Sequence, residues 1–232
     1  MIYVLGIAIT FMTFSCGCVE EASMPAPEET TPNNTVIELP EPQYDSDVSI
    51  EQSLLQRRSI RSYSDEPLTL DEISQLLWAA QGITNPRGFR TAPSAGALYP
   101  LEIYVAVGNV TDLPTGTYKY NSQKHRLVRL GEIDVRDELA KSSLGQACVR
   151  EGAVDIVIAA VYERTTVKYG DRGVRYVHME AGHAAQNIYL QAAALDLGMV
   201  TVGAFHDNRV RNTMGMLENE VPLYVIPVGR KS

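Results

Sequence analysis

The chain has 232 residues, 45% of them hydrophobic, enough for one sizeable buried core with an appendage. Net charge is −8, yet residues 1–47 hold eight acids and no Lys or Arg, which leaves 20 acids against 20 bases in the rest. A balanced folded part excludes an electrostatic case for nucleic acid binding, and three cysteines, two of them beside the apolar start, exclude a disulfide framework.

Residues 2–14 form an uninterrupted apolar run, too short for a transmembrane helix of about 20 residues. The run fits the h-region of a signal peptide, although its n-region lacks Lys and Arg. Ser15-Cys16-Gly17-Cys18 then has the small-residue form of a lipoprotein cleavage site. Residues 1–18 are therefore expected to be a signal peptide and lipobox, with Cys18 favoured for lipidation and Cys16 second. An exported lipoprotein is expected, anchored to the cell membrane and facing outside the cytoplasm; a short uncleaved membrane anchor and a buried hydrophobic start are the alternatives. Residues 19–47 are rich in Pro, Glu, Thr and Asn, and are expected to be a disordered acidic tether. The folded domain is expected over 48–232.

Ser49 caps a predicted helix to about Arg57. Thr69-Leu70-Asp71-Glu72 is a capping box, followed by Ile73, Leu76, Leu77 and Ala80 at helical spacing, with Gly82 closing the helix. Residues 83–98 read as a loop. Leu101–Val107 reads as a strand, and Gly116–Tyr120 with Arg126–Leu130 as a hairpin. Asp134–Leu144 is an amphipathic helix, and the apolar run Val154–Tyr162 a strand buried on both faces. An alanine-rich helix from about Val174 to Leu197 is expected to pack centrally, with Gly198 at its C′ position. Met199–Phe205 reads as a strand, Asp207 caps a short helix to about Met214, and Leu223–Val228 is the last strand. No strict βαβ order appears, so pattern alone supports mixed α/β.

Arg57-Arg58-Ser59-Ile60-Arg61 places three guanidiniums and a hydroxyl at a helix end, suited to gripping a phosphate or a carboxylate. A solvated basic face is the bland alternative. Ala92-Pro93-Ser94-Ala95-Gly96-Ala97 and Gly203-Ala204 have side chains small enough for a flat ligand to lie on the backbone. Arg230 and Lys231 add two cations near the last strand. The four histidines lack metal-ligand spacing, and no metal site is expected. Cys148 is expected to be a core thiol.

Together these segments, with Tyr99-Pro100, the pair Lys168-Tyr169 and the run Glu180-Ala181-Gly182-His183-Ala184-Ala185-Gln186-Asn187, resemble the nitroreductase-like FMN flavoproteins. The form of the motifs is similar to the SagB-type (azoline dehydrogenase-like) branch. The resemblance implies an α+β fold with a central, mainly antiparallel sheet flanked by helices. It implies an intertwined homodimer with FMN at the subunit interface. Carried over, Arg57, Arg58, Ser59 and Arg61 hold the phosphate and ribityl chain. Pro93, Ser94 and Ala95 lie near the ring, Gly203 and Ala204 near its other edge, and Arg230 reaches the phosphate. Lys168 and Tyr169 match a catalytic pair proposed to abstract a proton. The implied activity is hydride transfer between flavin and a small organic substrate, with NADH or NADPH as electron donor. The alternative is a lipoprotein that holds flavin or another ligand without turnover.

Overall fold

The computed structural model describes residues 35–232. The expected signal peptide, lipobox and most of the expected tether lie outside them. The described part of that tether is not a free linker. Val36–Glu38 (β1) pairs antiparallel with Arg126–Gly131 (β4), and Leu39 is buried. The Ser74 hydroxyl donates to the Pro40 carbonyl at 2.5 Å, and Gln43 N–H donates to the Gln75 side chain at 2.9 Å. The folded part therefore begins before residue 48. A handful of apolar positions spread among prolines suffices here because the sheet supplies the hydrogen-bonding edge.

Seven strands form one sheet in the order β1-β4-β3-β2-β5-β7-β6, with every neighbouring pair antiparallel. Its centre is Leu101–Val107 (β2), Val154–Ala160 (β5) and Val221–Arg230 (β7), while Gly116–Asn121 (β3) joins β4 in the expected hairpin. Alternation sorts each central strand onto two faces. Ile103, Val105, Ile156 and Ile158 face one apolar layer, with Leu70–Gln81 (α2) and Arg172–Ala194 (α6) packed over it. Tyr104, Ala106, Val157 and Ala159 face another, closed by Arg136–Ser142 (α3), Ala147–Glu151 (α4) and Asp207–Met214 (α7). This is the α+β architecture expected.

Both N-terminal helices carry complete capping boxes. Ser49 and Gln52 cap Ile50–Gln56 (α1), and Thr69 and Glu72 cap α2. Gly82 follows α2 and donates back to the Trp78 carbonyl at 2.7 Å. Three expectations are corrected. Helix α6 ends at Ala194, and Asp196, not Gly198, takes the left-handed position at φ 57°. Gly198 lies in Leu197–Met199 (β6), where a Cβ would stand 2.9 Å from Ile60 Cγ2, so the first folded segment can lie directly on the strand. The strand expected to reach Phe205 stops at Met199, with a single further bridge from Val202 to Val225. The N-cap of α7 is His206, not Asp207. Helix α4 and Glu163–Tyr169 (α5) have no counterpart in the local pattern.

One core group carries a pH consequence. Asp155 on β5 is fully buried, and neither carboxyl oxygen has a hydrogen-bond partner among the described residues. Burial pushes its pKa well above the usual carboxylate range, with Arg136 pulling the other way. A folded pKa raised above the unfolded value of about 4 contributes stability that is present below that value and lost as pH rises through the folded pKa. Asp155→Asn mimics the protonated acid. Urea unfolding between pH 5 and 8 should show a shallower decline with rising pH for this variant. Parallel curves for variant and wild type would overturn the assignment.

Candidate functional site

Arg57 is the C-cap of α1, and the chain then runs extended across β6. Ile60 N–H donates to the Met199 carbonyl at 2.9 Å, and Ser59 bridges Met199 in parallel. The Ser59 hydroxyl and Tyr189 Oη lie 2.9 Å apart, and Tyr189 Oη also accepts Thr201 N–H at 3.1 Å. The Arg57 guanidinium lies 5.1 Å from the Tyr189 ring centroid. Tyr189 on α6 thus binds the arginine segment to the strand that leads to Gly203. Arg57, Arg58, Ile60 and Lys231 line one groove with Tyr189 and Met199. Arg61 is exposed, and its charge reaches Tyr63 and Cys148. Cys148 is buried, and burial pushes its thiol up, as suits a core role. On the same side Gln146 donates to the Ala204 carbonyl at 3.1 Å. Gly203 is exposed, and an added Cβ would meet nothing nearer than Tyr224 at 4.0 Å, so its backbone is open to a flat ligand.

Two of the predicted phosphate contacts make hydrogen bonds of their own within the protomer. Arg58 Nη1 donates to the Leu55 and Arg57 carbonyls at 2.9 and 2.8 Å, closing the end of α1. Arg230 forks onto Glu72 at 2.6 and 3.0 Å, the same carboxylate that completes the α2 capping box. Lys231 lines the groove and Arg230 does not, and Asp196 lies 2.5 Å from the Lys231 Nζ.

The second group of predicted residues gathers elsewhere. Ser94 precedes a 3₁₀ turn, Ala95–Ala97, in the loop after α2. Its hydroxyl accepts Tyr99 N–H at 2.9 Å. Gly96 takes φ 65°, and a Cβ there would stand 2.8 Å from Tyr169 Oη and 3.3 Å from Lys168 Nζ. Both members of the predicted catalytic pair therefore lean on this bare glycine. They come from α5, whose start is tied down by Arg164, which pairs with Glu102 at 2.5 Å and donates to the Tyr99 carbonyl at 3.1 Å. Pro93 is exposed, and Ser94 and Ala95 are half-buried. Glu180 on α6 lies beneath the turn, buried, beside Ser94 and near Arg90. Its burial holds the carboxyl up at about 7. The local pattern does not single out Glu180 or Arg90 as site residues.

Helix α6 stands between the two groups. Its Glu180 meets the Ser94 turn, and Tyr189, nine residues later, meets the arginine segment. Nine residues at about 100° each is half a revolution, so the two contacts lie on opposite faces, about 13 Å apart along the axis. A cavity of about 120 Å³ lies elsewhere, between Tyr44, Trp78, Ile83 and His125, and holds none of the predicted residues.

The cations, hydroxyls and open backbone fit a phosphorylated, planar cofactor such as FMN: charge at one end, small residues where a ring would lie. Residues 54–230 match the Nitroreductase family model. A protein of Methanocaldococcus jannaschii named as a nitroreductase is 51% identical over 185 residues, covering 80% of this chain and 92% of the relative. The microcin B17-processing protein of Escherichia coli is 30% identical over 166 residues, covering 68% of this chain and 61% of its own length. A Ralstonia eutropha crystal structure described as a nitroreductase superposes with a TM-score of 0.75 at 32% identity, covering 85% of this chain and 90% of that one.

Proposed function

Since the chain belongs to the nitroreductase family of oxidoreductases, we propose that it is an FMN-dependent enzyme that moves hydride between flavin and a small organic substrate, with NADH or NADPH as electron donor. The observation that carries this reading is the groove where Arg57 and Lys231 meet Tyr189, whose hydroxyl holds Ser59 and the N–H of Thr201, two residues before the open backbone at Gly203. Bound FMN supplies the redox chemistry. Arg57 and Lys231 neutralise the phosphate, and Arg61 adds positive charge from the flank. Ser59, oriented by the Tyr189 hydroxyl, offers a hydrogen bond to the polar chain. Gly203 and Ala204 let the ring lie against backbone on one side, and the Pro93-Ser94-Ala95 turn covers the other. Lys168 Nζ or Tyr169 Oη takes or returns the substrate proton.

The same reading makes the enzyme a homodimer. One protomer sets its arginine half and its Ser94 half on opposite faces of α6, so a site that uses both draws them from two chains. The apolar side chains of Leu54 and Leu55 on α1, Val167 on α5 and Met179 on α6 are exposed in the single chain and give the partner a surface to cover. We also propose, from the sequence alone, that the mature chain is exported and held by lipid at Cys18 or Cys16. Labelled palmitate should be lost on replacing that cysteine.

The test is a flavin spectrum of the purified protein followed by stopped-flow reduction with NADH and NADPH. A yellow protein that bleaches with either donor is expected. A colourless protein that takes up no added FMN would falsify the reading. Lys168→Ala should keep its flavin content and lose at least about tenfold in substrate turnover, in keeping with a general acid–base role. Loss of the flavin instead would give Lys168 a structural role.

A further inference from the structure

Glu180 is 2% exposed, and its Oε1 has no hydrogen-bond partner among the described residues. An acid so buried in a helix needs a reason. The carboxyl is a neighbour of Ser94, the residue that opens the turn. That hydroxyl oxygen already accepts Tyr99 N–H, so its own proton is free to donate to Glu180. The Ser94 carbonyl accepts Ala97 N–H at 3.1 Å. Ser94 is therefore the pin of the turn. The turn needs a pin: Gly96, Ala97 and Tyr99 all have left-handed φ, at 65°, 52° and 46°, and two of the three carry a Cβ. Gly96 in turn is the surface against which Lys168 and Tyr169 rest.

We propose that Glu180 is a positioning residue of the site: through the Ser94 hydroxyl it holds the Ser94–Tyr99 turn, and with it the placement of Lys168 and Tyr169. The proposal rests on the reading that this turn and this pair serve the FMN site. Burial of the carboxyl holds it at about 7, so its proton is exchanged in the physiological range. The titratable and charged groups around it are Arg90 on the loop after α2, with Glu102 and Arg164 beyond it, Tyr99 on the turn, and Lys168 and Tyr169 on α5. On α6 itself Tyr176 and His183 are neighbours by helical spacing, and Tyr176 packs edge-on against Tyr169 at 5.2 Å.

The experiment compares Glu180→Gln, Glu180→Ala and wild type by amide hydrogen exchange and by titration of FMN into apoprotein. Tyr99 N–H reports on the pin directly. In Glu180→Ala its exchange should quicken about tenfold relative to the β2 amide of Val105, and Glu180→Gln should restore protection to the level of the wild type with Glu180 protonated. In wild type, Tyr99 protection corrected for intrinsic rate should change as pH passes 7, and Glu180→Gln should abolish that change. FMN affinity should fall in Glu180→Ala and recover in Glu180→Gln. Tyr99 protection unaltered in Glu180→Ala, or lost in step with Val105, overturns the proposal. Should Glu180→Ala not fold, an unchanged pH response in Glu180→Gln overturns it equally. Wild-type apoprotein that binds no FMN refutes the proposed function alone, because Tyr99 exchange is read without flavin.

Discussion

Arg57→Ala is expected to weaken FMN binding by between about 30- and 150-fold, corresponding to about 2–3 kcal/mol for one charge-assisted hydrogen-bonded contact. The expectation follows from where Arg57 stands. It caps α1, lies over the Tyr189 ring at 5.1 Å, and lines the groove with Lys231. Its N–H donates to the Ser53 carbonyl at 2.9 Å, and Tyr189 holds Ser59 two residues on, so the guanidinium is placed before any ligand arrives and little ordering entropy opposes binding. Arg57→Lys should recover part of the loss, because a point charge remains while the planar fork does not. The measurement is quenching of FMN fluorescence on titration with apoprotein, with thermal melts to show that each variant is folded. An affinity within twofold of wild type would remove Arg57 from the site.

The largest loss of stability is expected at Glu220. Its carboxylate, in a residue 1% exposed, accepts Tyr104 Oη at 2.5 Å, Lys119 Nζ at 2.8 Å and Leu217 N–H at 2.8 Å. Lys119 is 17% exposed and also pairs with Glu102 at 3.3 Å, and Glu102 pairs with Arg164. The chain of charges runs from the loop before β7, across β3 and β2, to the start of α5. Glu220→Ala withdraws one acceptor from three donors in a site shielded from water, and should destabilise by about 3–5 kcal/mol. Glu220→Gln keeps the shape and one oxygen, and should lose less. Urea denaturation checks both. A change under about 1 kcal/mol for Glu220→Ala would show that Glu102 takes over the role of Glu220. Because the same chain of charges ends at Arg164, Glu220→Ala should also loosen α5.

The legible parts of the molecule were those whose signals are local. Capping at Ser49 and Thr69, the alternation in β2, the two-faced apolar run of β5 and the closing Gly82 are each determined within a few residues, and the structure keeps them. The cationic cluster at Arg57–Arg61 and the small-residue turn at Ser94 are likewise visible as strings. Residues whose role depends on distant partners were not legible. Arg230 looks like another phosphate ligand until α2 brings Glu72, 158 positions away, against it. Glu180 opens a run that carries the family resemblance, but only the folded chain buries it beside Ser94 and Arg90. Helix α5 was missed because two threonines and a valine in seven residues lower its intrinsic propensity. Tertiary anchoring through Arg164 outweighs that. Val36–Glu38 is too short to carry a period, and only the exposed edge of β4 makes it a strand.

The position of α6 between the two half-sites has a genetic corollary. If each catalytic centre takes its cations from one chain and its Lys168-Tyr169 pair from the other, two impaired parents can make a competent hybrid when FMN is too scarce to load the Arg57→Ala site. Co-expressed Arg57→Ala and Lys168→Ala chains would assemble mixed pairs in which one centre inherits both lesions and the other neither. Random assortment of equal amounts then returns about a quarter of wild-type turnover. Were both halves drawn from a single polypeptide, every centre would keep a lesion and co-expression would rescue nothing.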